Sequence, residues 1–262
     1  PLDDDTNHRD LSCLELGTIE SLALPYETYK LAFTQSLLDQ IFTGRGVDED
    51  LLGKEGRYVS SHVLKEGGGF PDTDGDDTWW IPSGRQAFDA DHFYLPDKTQ
   101  DPFGQCYILA YDGEWLLVER TEDPVQNVVQ IANNYQVMQP EKITDPNGNQ
   151  AEVAFDTLGL VAGTAVMGKG EDPDEGDSLK EFNPDLHETQ INDFLTDPLG
   201  TAAGLLGTAT TRIIYDLERY QHTGQPAVAA TLARETHVSD LDAESEEVSK
   251  VQVSFLYSDG FG

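Results

Sequence analysis

Basic side chains are scarce in this 262-residue chain: 16 Lys and Arg face 49 Asp and Glu, a formal net charge of −33. Binding to nucleic-acid phosphates or to anionic membrane surfaces needs Lys and Arg clusters, so both are excluded. The acidity reads first as a solvated surface, of a kind suited to high salt that screens self-repulsion; an acidic docking face and cation sites are the alternatives. Long hydrophobic runs are also missing. No stretch approaches the roughly 20 apolar residues that span a bilayer, and no signal peptide is visible. There are only two cysteines, Cys13 and Cys106, too few for a disulfide scaffold, and the sequence leaves open whether they pair.

Recognisable catalytic chemistry is lacking too. No H-E-x-x-H, C-x-x-C or phosphate-binding glycine loop occurs. So many carboxylates guarantee chance pairs, and a glycosidase dyad cannot be claimed from them. His8, His62, His92, His187 and His222 are scattered singly. His237-Val238-Ser239-Asp240 has the letters of a triad but no nucleophile elbow, and Arg234, Glu235 and His237 read better as a structural polar cluster. The expectation is a chain with no catalytic, cofactor or established metal site.

What is present is aromatic bulk and turn chemistry. Apolar residues make up 38%, with 11 Phe, 10 Tyr and 3 Trp, enough to fill a sizeable core. The organising stretch is Asp101 to Asn127, which reads turn, strand, turn, strand, turn. In Asp101-Pro102-Phe103-Gly104, Asp folds onto its own backbone, Pro presets φ and Gly accepts a positive φ. Tyr111-Asp112-Gly113 signals the next reversal, and Asp123-Pro124 closes the second strand. A second copy follows: Asp145 and Gly148 open it, Phe155-Asp156 replaces Tyr111-Asp112, and Gly159 completes the turn. In both copies Gly lies seven residues before the aromatic and Asp lies eleven before its counterpart, which marks a repeat. Tyr215-Asp216 and Tyr257-Ser258-Asp259-Gly260 are weaker echoes.

Elsewhere, alternation predicts strands at Tyr26–Phe33, Thr211–Tyr215, Thr231–Val238 and Lys250–Tyr257, with Trp79-Trp80 opening another that ends at Pro82. A short strand is expected among Leu14, Leu16, Ile19 and Leu22. Thr34 reads as an N-cap for a helix with Leu37, Leu38, Ile41 and Phe42 on one face, stopped by Gly44, and Val47–Leu52 as a second short helix. Ile191, Phe194 and Leu195 mark another helical patch that Thr201–Leu206 extends, although two glycines weaken it. Asp72, Asp74 and Asp76 alternate as calcium ligands can, but Asp77 and Ser83 stand where an EF-hand needs Gly and Glu, so an ordinary acidic turn is preferred.

The duplicated unit resembles the tyrosine-aspartate (YD, or Rhs) repeat family. Leu24–Thr34, Trp79–Arg85, Ala162–Lys169, Ala230–Ser239 and Val253–Gly262 are similar to the B component of Tc-type insecticidal toxin complexes, so the resemblance spans the chain. Gln126 departs from the repeat, which usually has Gly before Asn, and predicts a looser turn. The resemblance implies a mainly β fold of antiparallel hairpin repeats forming part of a curved shell, with two small helical inserts. It also implies a secreted, extracellular toxin complex. Its partners would be other Rhs/YD segments, including a C-type component, and an enclosed toxin cargo.

The expected organisation has four parts. Residues 1–100 form a β segment with a helical insert (34–54) and an acidic loop (67–78). Residues 101–168 carry the two repeats, 169–210 an acidic loop and helical insert, and 211–262 further strands. A chain that opens at Pro1 and stops in Asp-Gly-Phe-Gly reads as a piece of a longer polypeptide. The competing functional readings are an adhesive or calcium-stabilised binding module and, less favoured, a β-fold hydrolase.

Overall fold

The computed structural model describes residues 24–260 except 26, 68–69, 72–74, 76, 171–174 and 242–248. The expected strand at Leu14–Leu22, Cys13, the candidate ligands Asp72, Asp74 and Asp76, and the last two residues lie outside the described residues. The chain divides into two compact units, Pro1–Ala110 with Thr121–Asn127, and Tyr111–Arg120 with Val128–Gly262.

In the first unit, β1 (Tyr29–Thr34) runs into α1 (Gln35–Phe42), where Thr34 Oγ1 accepts the Leu37 N–H at 3.4 Å. This cap satisfies one of the donors that a helix start leaves orphaned. Gly44 and Gly46 take φ of 76° and 72° and turn the chain away. The second helical turn is a π-helix at Leu51–Glu55, closed by Gly56 N–H donating to the Leu51 carbonyl at 2.9 Å. Then come β2 (Val59–Ser60), α2 (Ser61–Gly67) and β3 (Thr78–Pro82), and the three-stranded sheet has the order β1-β3-β2. Leu38, Leu52 and Trp79 form its small core, with Phe33, Phe42, Val47 and Tyr58 packed around them. Trp80 directs its indole N–H to Ser61 Oγ at 2.9 Å. Next, β4 (Arg85–Asp89), β5 (Leu95–Gln100) and β6 (Cys106–Tyr111) pair antiparallel in sequence order. Cys106 is a free thiol.

β7 (Val118–Glu122) is divided between the units. In the second unit, β8 (Val128–Asn134), β9 (Gln139–Thr144), β10 (Asn149–Phe155) and β11 (Val161–Lys169) form an antiparallel meander. A crossover then carries α3 (Glu188–Thr196) and α4 (Pro198–Leu206). The sheet resumes through β12 (Thr211–Asp216), the short α5 (Arg219–Thr223), β13 (Ala227–Arg234) and β14 (Val251–Ser258), each strand pairing with the one before.

The crossover helices cover the sheet. Phe194, Leu206, Ile214, Ala230 and Leu232 are all buried in one core. Two glycines do not break α4, because Asp197 caps it by accepting the Gly200 N–H at 3.0 Å and Pro198 presets the first turn. The face of β14 follows its alternation only in part. Val251 and Val253 pack on the core and Phe255 stacks on Phe194 at 5.9 Å, whereas Tyr257 is 58% exposed.

β13 lies earlier than alternation predicts, at 227–234 rather than 231–238. The pattern fails because His237 and the Val238 N–H leave the ladder for a buried carboxylate, and Val238–Asp240 becomes a 3-10 turn. The result is a mainly β, antiparallel fold with helical inserts.

Candidate functional site: a series of aspartate-held turns

The reversals share one chemical device. At Asp101, Asp123, Asp145 and Asp156 a three-residue loop follows, and the carboxylate Oδ1 accepts the backbone N–H of residues two and four further on. All eight distances lie between 2.8 and 3.0 Å. The backbone repeats as well: the Asp N–H donates to the carbonyl four residues on, and its own carbonyl accepts the N–H three residues on. That third residue must take a positive φ, the geometry of a type I turn closed by a bulge. Gly104, Gly148 and Gly159 supply it at 83°, 88° and 83°.

Gln126 adopts the same conformation at 68° without being glycine. Its turn is not looser than the others: Asp123 makes both carboxylate bonds and adds one from Asn127 Nδ2 at 2.8 Å. Asn149 Nδ2 makes the same bond to Asp145 at 2.8 Å, so Gln126 closes a turn equivalent to that of Gly148 in a backbone region that only glycine enters freely.

The Asp112 loop is one residue longer. Oδ1 accepts from Glu114 and Leu116, and Oδ2 from Leu117 at 3.0 Å. Its left-handed residue is Trp115, at φ 57°, so Gly113 does not form the two-residue Asp-Gly hairpin that the sequence suggests. The side chain explains the difference: Trp115 stacks on Tyr111 at 6.0 Å. Asn134 begins the loop after β8, its Oδ1 accepting the Gln136 N–H at 2.9 Å.

Asp101, Asp112, Asp123, Asn134, Asp145 and Asp156 therefore fall every 11 residues. Sequence reading found the turns at Asp101, Asp112, Asp123, Asp145 and Asp156 but passed over Asn134, where Asn-Tyr-Gln-Val has neither Asp nor a following Pro or Gly. The 11-residue spacing is the signal that finds it.

Three of these turn carboxylates, Asp112, Asp123 and Asp145, are shifted toward the ionised form. A hydrogen bond from the Tyr135 hydroxyl, then backbone N–H groups, keeps the Asp112 carboxyl below its ordinary value. Donation from the Asn127 backbone does so for Asp123, and from the Asn149 side chain for Asp145. Asp185, on the crossover, is lowered by the N–H and hydroxyl of Thr157, both at 2.9 Å, which ties the crossover to the turn after β10.

The repeat aromatics vary in setting. Tyr111, Phe155 and Tyr215 are half-buried, and Tyr215 donates its hydroxyl to the Val161 carbonyl at 3.0 Å. Asp216 opens no aspartate turn; it lies in β12 and faces Arg219 at 3.5 Å. Asp259 is exposed, and Gly260, at φ 90°, donates its N–H to Ser258 Oγ at 3.3 Å.

Sequence reading grouped Arg234 and His237 in a structural polar cluster but missed the carboxylate at its centre, Asp177. The Asp177 side chain, fully removed from solvent, accepts from Thr210 Oγ1 at 2.6 Å, His237 Nδ1 at 2.7 Å and Val238 N–H at 2.8 Å, with Arg234 Nε at 3.4 Å. This fastens the crossover to the turn after β13. Ser239 Oγ meanwhile accepts the Gly176 N–H at 2.9 Å and donates to Asp240 at 3.3 Å, so the triad letters are engaged in structural contacts. Arg212 is also buried: it stacks over Phe182 at 3.9 Å and donates to the Asn183 carbonyl, while its Nε and Nη1 have no partner. Burial pushes its pKa down to about 10. Among the described residues no group of three His, Cys, Asp or Glu side chains gathers as a metal centre.

No family model and no curated protein matches the chain. Solved structures do. Against the crystal structure of TcdB2-TccC3 the TM-score is 0.63 at 20% identity, covering 89% of this chain and 10% of that one. TcdB2-TccC3-Cdc42 gives 0.62 at 17%, covering 89% and 13%, and TcdB2-TccC3-TEV gives 0.62 at 18%, covering 90% and 13%. The chain thus spans little more than a tenth of the length of the chains it matches. Over about nine-tenths of its length the chain shares the fold of a part of these TcdB2-TccC3 structures.

Proposed function

We propose that this chain is a non-catalytic wall section of an Rhs/YD shell that encloses a toxin polypeptide and assists its delivery within a secreted complex. The observation that carries this reading is the run of consecutive antiparallel hairpins whose turns begin every 11 residues, four of them closed by the same aspartate device. A hairpin cannot bury an apolar face alone, and stacking each strand on the next extends a continuous wall. The likeness in fold to the TcdB2-TccC3 structures supports the same reading. Each turn carboxylate accepts at least two backbone N–H groups, a use that suits scaffolding. Partners would be further Rhs/YD segments, including a C-type component, and the enclosed cargo.

The test is to express the full-length parent with its C-type partner and digest the complex with protease. A cargo segment that survives only when both are present is the expected result. A cargo cleaved at the same rate with and without the parent, or turnover of a substrate by this chain alone, overturns the reading.

A further inference from the structure

We infer that the helical insert of the first unit is a docking site for a basic segment of another polypeptide, anchored by one large apolar side chain. Two adjoining hollows of about 380 and 300 Å³ open beside α1 and the π-helix, sharing Phe42, Val47 and Leu52 in their walls. The floor is apolar: Phe33 meets Phe42 and Tyr58 edge to face at 6.0 and 5.1 Å. Leu51 lines the larger hollow and remains 42% exposed. Among the described residues the charged side chains lining the hollows are Asp39, Asp48, Glu49 and Glu55, with no Lys, Arg or His.

Backbone irregularity marks the same rim. The π-helix at Leu51–Glu55 shapes it. Such departures recur at functional sites. A Cβ on Gly56 would stand 2.8 Å from the Tyr58 ring and 2.9 Å from the Leu52 carbonyl, so only glycine keeps this wall in place.

Charge selects the occupant. A second copy of this chain, at −33, is repelled, and an anionic membrane is repelled equally. A segment with Leu or Phe flanked by Lys or Arg meets both the apolar floor and the carboxylate rim.

The experiment measures binding of a fluorescein-labelled Lys-Arg-Leu-Phe-Lys-Arg peptide to the full chain, beside Lys-Arg-Ser-Ser-Lys-Arg as control. We expect the first peptide to bind more tightly. Leu51→Ser and the double variant Glu49→Lys/Glu55→Lys should each weaken it by about tenfold. Only the double variant should reduce its salt dependence. A photoreactive benzophenone replacing the peptide Phe ring should cross-link within residues 33–58, a readout that does not depend on variants folding. Equal binding of both peptides, unchanged affinity in folded variants, or cross-links elsewhere overturn the inference.

Discussion

The Tyr135 hydroxyl donates to Asp112 Oδ2 across 2.7 Å, joining the loop after β8 to the turn that follows Tyr111. The two loops begin 22 residues apart, two periods of the 11-residue pattern, so loops at one end of the meander become neighbours. Asp112 is the turn aspartate that is buried, and it gathers donors from both loops.

Acid should loosen these turns first. The folded pKa of Asp112, Asp123, Asp145 and Asp185 lies below the ordinary 3.8, so their contribution is complete above that value and vanishes as pH falls through the lowered one. Tyr135 is raised above 10.0, chiefly by the Asp112 bond, so its contribution is lost only as pH climbs past that raised value. Urea midpoints should therefore drop below pH 4, and Asp112→Asn should flatten the acid limb relative to the parent. An unchanged acid limb in that variant would remove Asp112 from the account.

Glycine exchange should have opposite signs at two equivalent positions. Gly148→Ala puts a Cβ into open space but at φ 88°, and should cost about 1 kcal/mol or slightly more from backbone strain alone. Gln126→Gly relieves strain at φ 68° and should stabilise, by less than about 1 kcal/mol because glycine also loosens the unfolded chain. Chemical denaturation of both variants reads the difference; loss of stability in Gln126→Gly would show that its side chain holds the turn.

Phe194→Ala should be costlier than Phe155→Ala. Phe194 is fully buried in the core under α3 and α4, where truncation typically costs about 3–5 kcal/mol. Phe155 is half-buried, so less apolar surface is lost. A reversed order in thermal melts would make the repeat aromatic, rather than the crossover helices, the main anchor.

Two buried charges should respond in opposite ways. Asp177→Ala strands Thr210, His237 and Arg234 without their acceptor and should cost about 3–5 kcal/mol. Arg212 has two nitrogens without partners and a pKa pushed down to about 10 by desolvation, so its burial works against folding at neutral pH and that opposition is relieved only as pH rises beyond 10. Arg212→Met should be within about 1 kcal/mol of the parent or more stable. A large loss in Arg212→Met would show that its stacking on Phe182 and its bond to Asn183 outweigh desolvation.

The sequence by itself determined the local chemistry. Asp followed by Pro or Thr and then Gly specifies a turn without distant help, and the Thr34 cap and the apolar face of α1 are encoded within one helical turn. Only the tertiary structure decided what distant residues impose. Trp115 rather than Gly113 takes the left-handed conformation, in a loop whose Asp112 is held by the Tyr135 hydroxyl from 23 residues away. β13 ends at Arg234 because Asp177, some 60 residues earlier, captures His237 and Val238. Neither choice has a local signal: each involves a polar partner that folding brings alongside from elsewhere, and a satisfied buried carboxylate outweighs strand alternation.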